Sequence, residues 1–308
     1  MKIIFMGTPD LAASVLKTML EAGLDVSLVV TQPDRQKGRG KSVVKTPVKI
    51  LAEEWNIPVF QPVRVRTPEA VARLREEKAD LIVVAAFGQI LSKEILDLPP
   101  YGCVNVHTSL LPMYRGAAPI QWVILNGEKY SGVTIMKMDE GLDTGPILLQ
   151  EKLELDPKET GESLYDKLSL MGGKLLLKAI EGLQAGTLTP VPQEGETCYA
   201  SMLKKEMGDI DWTWSAEKTE RFVRGLNSWP SAYTRYQGKI LKIWDADVLA
   251  ENSGAEPGTV VRTDKAAIYV ACGQGTLALK EVQIEGKKRM PVSAFLLGYH
   301  VKAGDILG

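Results

Sequence analysis

The sequence predicts an α/β fold: a Rossmann-like domain with a mostly parallel sheet over residues 1–187, a linker over 188–205, and a C-terminal OB-like β-barrel domain over 206–308. Three observations predict it. Short continuous apolar runs alternate with helical stripes in the first part of the chain, the pattern of parallel strands covered on both faces. From Thr187 the texture changes to TLTPVPQEGETCYAS, with two prolines and few apolar residues, which reads as a linker. Beyond it the apolar spacing falls to two, in short strands punctuated by turns.

Bulk composition agrees with two soluble globular domains in 308 residues, 45% hydrophobic and 24% charged. A formal net charge of −1 provides no global basic field, so contact with nucleic acid would rest on local patches. The cysteines Cys103, Cys198 and Cys272 are far apart and form no metal-like cluster, which suggests buried thiols in a reducing compartment. The longest apolar run, Leu81 to Phe87, is far below the roughly 18 residues needed to span a bilayer. The opening MKIIFMGTPD turns polar too soon for a signal peptide, so a cytoplasmic protein without membrane attachment is expected.

In order, KIIFM (2–6) is a buried strand closed by Gly7, and Thr8-Pro9 reads as a cap and first turn. Leu11, Val15, Leu16 and Met19 then make a helical stripe, and DVSLVV (25–30) the next strand. Gly7 stands without the rest of a GxGxxG turn, which argues against a dinucleotide-dependent dehydrogenase. Residues 32–47 carry Arg35, Lys37, Arg39, Lys41 and Lys45 against the single acid Asp34. This stretch is either a solvated loop or a basic arm that grips phosphates. A helix over 47–55, a strand over 57–60 and a helix from Thr67-Pro68 to Lys78 precede LIVVAAF (81–87), a buried strand followed by Gly88-Gln89. Small residues at that position let a ligand approach the backbone.

A short helix (92–96) leads to the strand CVNVH (103–107) and the loop SLLPMYRGAAP. A helix at 120–125, strands at 133–138 and 147–155, and a long helix over 160–184 complete the domain. After the linker come a helix over 215–225, strands in AYTRY, ILKIWDADVL, GTVVRT, AAIYVAC and GTLALKEVQI, and a short helix over 293–299.

Asn105 and His107, two apart on a strand, share one face at its C-terminal end, where open parallel sheets place ligands. Asp143 follows in the turn-rich DEGLDTGP, in the loop after the next strand, and is expected at the same mouth. An amide donor, an imidazole and a carboxylate suit acyl transfer between nitrogens, where an oxyanion grows and a proton changes hands. On residues alone the structural reading stays open: a lone histidine satisfied at a strand end, an asparagine that ties down a turn, and Asp139, Glu140 and Asp143 as turn formers or weak hard-metal ligands. With two histidines in the chain, a His-rich metal site is not expected.

NVHTSLLPMYRGAAPIQ followed by GVTIMKMDEGLDTGPIL resembles the formyltransferases that use 10-formyltetrahydrofolate. FMGTPD, TQPDRQKGRGK, VVAAFGQIL and DW…NSWPSAY extend the resemblance along essentially the full length. It implies Asn105, His107 and Asp143 as the catalytic trio: Asn and His stabilise the oxyanion and manage protons, and Asp sets the state of His. It implies folate contacts from Ser109, Leu110, Leu111 and Pro112, with the backbone of Phe87, Gly88, Gln89, Ile90 and Leu91 lining the pterin pocket. The basic arm and the β domain narrow the resemblance to the branch that formylates the methionine on initiator methionyl-tRNA. Arg35, Lys37, Arg39, Lys41 and Lys45 would then meet the acceptor end and the barrel its stem. A monomer that needs no metal and no protein partner is expected. Met113 stands where that family frequently has a basic residue, and Pro146 where it frequently has Asp. An amino-sugar acceptor is the rival within enzymes, and would give the arm no purpose. A tRNA-binding module without catalysis is the rival of another class.

Overall fold

The computed structural model describes residues 1–37 and 42–308. In chain order the first elements are β1 (Lys2–Gly7), α1 (Asp10–Glu21), β2 (Asp25–Val30), β3 (Arg35–Lys37), β4 (Ser42–Val44), α2 (Pro47–Glu54), β5 (Val59–Phe60), α3 (Pro68–Glu76), β6 (Leu81–Ala85) and α4 (Lys93–Leu96). There follow β7 (Cys103–His107), β8 (Arg115–Gly116), α5 (Pro119–Leu125), β9 (Tyr130–Lys137), β10 (Ile147–Glu154), α6 (Gly161–Ala185) and β11 (Tyr199–Ala200). The chain ends with α7 (Ala216–Gly225), β12 (Ala232–Tyr236), β13 (Lys239–Leu249), β14 (Val260–Thr263), β15 (Ile268–Ala271), β16 (Thr276–Ile284), β17 (Met290–Pro291) and α8 (Val292–Gly298).

Two compact units result. The first comprises residues 1–119, 130–154 and 165–200; the second comprises 120–129, 155–164 and 201–308. The first unit is built on a seven-stranded sheet in the order β10-β9-β7-β6-β1-β2-β5. Its β7-β6-β1-β2-β5 part is parallel, whereas β9 runs antiparallel to β7 and β10 antiparallel to β9. The expected mostly parallel sheet is therefore present, with an antiparallel hairpin on one edge.

Ile4, Met6, Leu28, Val30, Ile82, Val84 and Cys103 share a core with Val71 and Leu74 of α3 and Ile95 of α4. Burying each large aliphatic side chain contributes about 1.5–3 kcal/mol, which explains the unbroken apolar runs in these strands. Val106 looks to the other face. A Cβ on Gly172 of α6 would sit 2.8 Å from Val106 Cγ1, and one on Gly173 would sit 2.6 Å from Thr18 Oγ1. The glycine pair is what lets α6 lie close against both β7 and α1.

Threonines before prolines start two of the helices. Thr46 Oγ1 accepts from Lys49 N (3.2 Å) at α2, and Thr67 Oγ1 accepts from Ala70 N (3.3 Å) at α3. Thr8 departs from its expected role as a cap. Pro9 occupies the cap position of α1, and Thr8 Oγ1 donates instead to Phe87 O (3.1 Å), which ties the end of β1 to the segment after β6.

In the second unit the ladders form an antiparallel sheet, β12-β13-β16-β15-β14, with β17 beside β16. Leu241, Ile243, Leu277, Leu279 and Val282 pack with Trp212, Tyr236 and Phe295. The barrel expected from the sequence is not what these ladders describe. β12 and β14 are the two ends of the path, and among the described residues no ladder joins them. Alternating apolar spacing specifies one buried face, but closure depends on strand tilt and shear, which it does not encode.

Candidate active site

The C-terminal ends of β1, β2 and β6 surround a cavity of about 480 Å3. Its lining includes Thr8, Gln32, Arg35, Lys45, Phe87 and Gly88. From β1 the chain passes on to β2, whereas from β6, the neighbour on the other side of β1, it passes outward to β7; the connections diverge between β1 and β6, the switch point at which open α/β sheets bind ligands. β7 is the next strand along, pairing Val84 with Asn105, and it ends on His107.

His107 is only 6% exposed. Its Nε2 lies 2.9 Å from Tyr114 O. A carbonyl can only accept, so Nε2 carries the hydrogen. Nδ1 is then the nitrogen left to gain or lose a proton, and it lies 3.7 Å from Asp143 Oδ2. The same Oδ2 accepts the Gly116 N–H at 2.8 Å, which fixes the carboxylate. Asp143 itself holds the left-handed conformation, φ 53°, unusual outside glycine. Asn105, half-buried on the same strand face as His107, makes no side-chain hydrogen bond to a described residue, so both its amide hydrogens are available.

Asp143 arrives by a route the sequence does not indicate. The loop after β9 was expected at the C-terminal mouth of β7. Because β9 is antiparallel, pairing Lys137 with Val104 and Thr134 with His107, that loop leaves from the opposite end and returns. Gln193 bonds it: Nε2 donates to Asp143 O (2.9 Å) and Gly145 O (2.7 Å). The polarity of the residues around Gln193 predicts a linker. The structure puts 188–200 in the first unit, with β11 paired in parallel to β8 and Thr197 Oγ1 donating to Pro112 O (2.6 Å). Their amide bonding needs no apolar periodicity, so no pattern marks it.

Thr134 likewise carries no signal in the sequence. Its buried hydroxyl donates to Ser109 O (2.7 Å) and accepts from Leu111 N (3.1 Å) and Gln150 Nε2 (2.9 Å). Gln150 Nε2 also reaches Leu111 O at 2.7 Å. The loop 109–112 is thus bolted to β9 and β10. Ser109 and Leu111 are buried, and Ser109 Oγ is already committed to Met113 O; Leu110 and Pro112 are half-buried. Phe87 and Leu91 are buried, Gly88 is exposed, and Ile90 is 70% exposed. The Gln89 amide is spent on Val65 N and Pro62 O. Surfaces open to a ligand in these segments are therefore Gly88, Ile90, Leu110 and Pro112.

Arg35 and Lys37 lie on β3, which pairs with β4 as a hairpin where the sequence suggested only a loop. Lys45 pairs with Glu53 at 2.6 Å, both half exposed. Arg39 and Lys41 fall outside the described residues. Asp34 accepts from Lys49 Nζ (2.6 Å) and Gln61 Nε2 (2.7 Å), and these bonds hold its carboxyl below the usual range. Burial pushes the Cys103 thiol to about 12, so it is not a nucleophile. Among the described residues no group of three or more His, Cys, Asp or Glu could hold a metal ion.

Residues 1–180 match the family model described as formyl transferase, and residues 202–300 that described as formyl transferase, C-terminal domain. A methionyl-tRNA formyltransferase of Lachnospira eligens is 54% identical over 314 residues, covering 100% of both chains. One of Agathobacter rectalis is 52% identical over 306 residues, covering 99% of each. Among solved structures, methionyl-tRNA formyltransferase from Clostridium thermocellum has a TM-score of 0.57 at 20% identity, over 92% of this chain and 98% of that one. WlaRD, a sugar 3N-formyl transferase, has a TM-score of 0.66 at 19% identity, over 94% and 99%. These last two likenesses bear on the fold. Both domain matches, and relatives near half identity from end to end, make this chain a member of the formyl transferase family.

Proposed function

We propose that this chain transfers the formyl group of 10-formyltetrahydrofolate to the α-amino group of methionine on initiator methionyl-tRNA, the step that readies it for translation initiation. One observation carries the reading. An unspent amide, an imidazole and a carboxylate lie on or beside the end of β7, in a chain whose full-length relatives are methionyl-tRNA formyltransferases.

In this reading the neutral amine attacks the formyl carbon. The new C–N bond forms as the carbonyl oxygen becomes an oxyanion, which takes hydrogen bonds from the Asn105 amide. His107 Nδ1 accepts the proton the amine loses, and Asp143 stabilises the imidazolium. The bond from carbon to N10 then breaks, and N10 takes that proton, leaving tetrahydrofolate. Gly88, Ile90, Leu110 and Pro112 offer the donor turned backbone and apolar contact; Gly88 has φ 80°, which lets a planar ring approach the chain. Arg35, Lys37, Arg39, Lys41 and Lys45 meet phosphates at the acceptor end. Residues 206–308 hold the stem in this account. The chain acts as a cytoplasmic monomer in this account; among the described residues no helix is long and apolar enough to cross a membrane.

The test incubates the protein with 10-formyltetrahydrofolate, charged initiator tRNA and a nucleotide-linked amino sugar as competing acceptor. Formyl on the methionyl-tRNA alone is expected. Formyl on the sugar alone overturns the acceptor assignment.

A further inference from the structure

The Gln193 side chain closes a ring of contacts around Asp143. Its Oε1 accepts from Arg115 Nε (3.1 Å) and Nη2 (2.7 Å). Its Nε2 donates to the carbonyls of Asp143 (2.9 Å) and Gly145 (2.7 Å). Guanidinium only donates and carbonyls only accept, so the amide orientation is forced, and the position needs a donor and an acceptor on one planar group. The residue after Arg115 completes the ring, because Gly116 N–H donates to Asp143 Oδ2 at 2.8 Å. Two residues before Gln193, Val191 exchanges both backbone hydrogen bonds with Ile147, at 2.7 and 2.8 Å.

Asp143 sits in a left-handed conformation, φ 53°, which a non-glycine residue keeps only where its surroundings hold it. Its own carbonyl is one of the groups held. We infer that Gln193, anchored by Arg115, is a positioning residue that keeps Asp143 in this strained conformation and so keeps its carboxylate facing His107. The inference rests on the catalytic reading of Asp143. Gln193 touches neither His107 nor, in that reading, either substrate. Its loss therefore lowers turnover and leaves substrate affinity in place.

The test is steady-state formyl transfer to charged initiator tRNA by four variants: Gln193→Ala, Gln193→Glu, Asp143→Asn and Asp143→Asn with Gln193→Ala. Misplacing a catalytic group by about 1 Å costs up to roughly 100-fold, so Gln193→Ala is expected to lower kcat by about 10- to 100-fold with KM for both substrates within about twofold. Gln193→Glu keeps the acceptor for Arg115 and turns oxygen toward the two carbonyls. It should match Gln193→Ala in kcat, and it serves if the alanine variant does not fold. In the Asp143→Asn background, Gln193→Ala should add little further loss. Unchanged kcat in the Gln193 variants, a raised KM in place of lowered kcat, or full multiplication of the two losses overturns the positioning role alone. Wild-type turnover by Asp143→Asn overturns the role of Asp143, and the positioning role with it.

Discussion

The loop 108–116 and the basic arm belong to the same unit and are held in opposite ways. Every turn of the loop is bonded: Ser109 to Met113, Leu111 to Thr134 and Gln150, Tyr114 O to His107, and Arg115 to Gln193. Among its described residues, the arm's side-chain bonds to the rest of the unit gather at its base. There Thr31 and Thr46 share a buried hydroxyl contact at 2.9 Å, and Lys49 joins Asp34 to Gln61. Farther out, Val43 is 64% exposed and Val44 43% exposed. In the proposed reaction the loop serves a transition state, which gains from fixed dipoles, whereas the arm serves a large polyanionic partner, for which exposed positive charge is what counts.

If that contrast is right, substitutions at the loop act on rate and those at the arm on binding. Asn105→Ala and His107→Ala carry the largest effect. Each should reduce transfer by about 100-fold or more, the cost of losing an oxyanion donor or a general base, while a filter-binding assay finds tRNA affinity nearly intact. Wild-type turnover in either would remove the site from β7. Thr134→Val comes next. It conserves shape but strands the Leu111 N–H and Ser109 carbonyl in a buried site, at about 1–3 kcal/mol for each unsatisfied group. A calorimetric Tm drop of several degrees with a lower kcat is expected; a Tm within one degree would mean that the hydroxyl does not hold the loop.

The contrast also explains what could be read ahead of the structure. Asn105 and His107 were legible because a strand repeats every two residues, so their shared face follows from spacing alone. Asp143 was legible as a residue but not as a path, because antiparallel and parallel neighbours of β7 leave the same apolar pattern. Gln193 and Thr134 were invisible. Their backbone partners lie 23 to 50 residues away, and a single polar residue in a linker-like or strand segment carries no period. The arm's hairpin was missed because its strands are three residues each, too short for alternation to register.

At the arm's base, Asp34 titrates below the usual carboxylate range because Lys49 and Gln61 donate to it. A depressed folded-state value contributes stability that is present above the unfolded value, about 3.9. It is lost as pH falls through the folded one. Lys49→Met should therefore lower Tm modestly at pH 7, and the gap to wild type should close on acidification below about pH 4. A gap that persists undiminished at low pH would show that the lysine acts by packing.

The smallest stability effect and the clearest binding effect should coincide at Lys45. Its ion pair with Glu53 is half exposed on both sides, and such pairs contribute about 0–1 kcal/mol, so Lys45→Ala should leave Tm almost unchanged. If the arm grips phosphates, the same change removes a counterion-releasing contact. The slope of log affinity for charged tRNA against log salt should then flatten by about 0.7–0.9 per phosphate lost, with Arg35→Ala adding a similar step. Glu53 complicates the sign of the intercept but not of the slope. In free protein it already neutralises Lys45, so binding must break that pair, and Lys45→Ala leaves Glu53 facing the RNA. The first effect makes the loss of affinity at low salt smaller than one contact's share and the second makes it larger, so the slope, which falls by one contact in either case, is the readout. An unchanged slope in both variants would return residues 32–47 to a solvated loop and leave recognition of the acceptor to the rest of the chain.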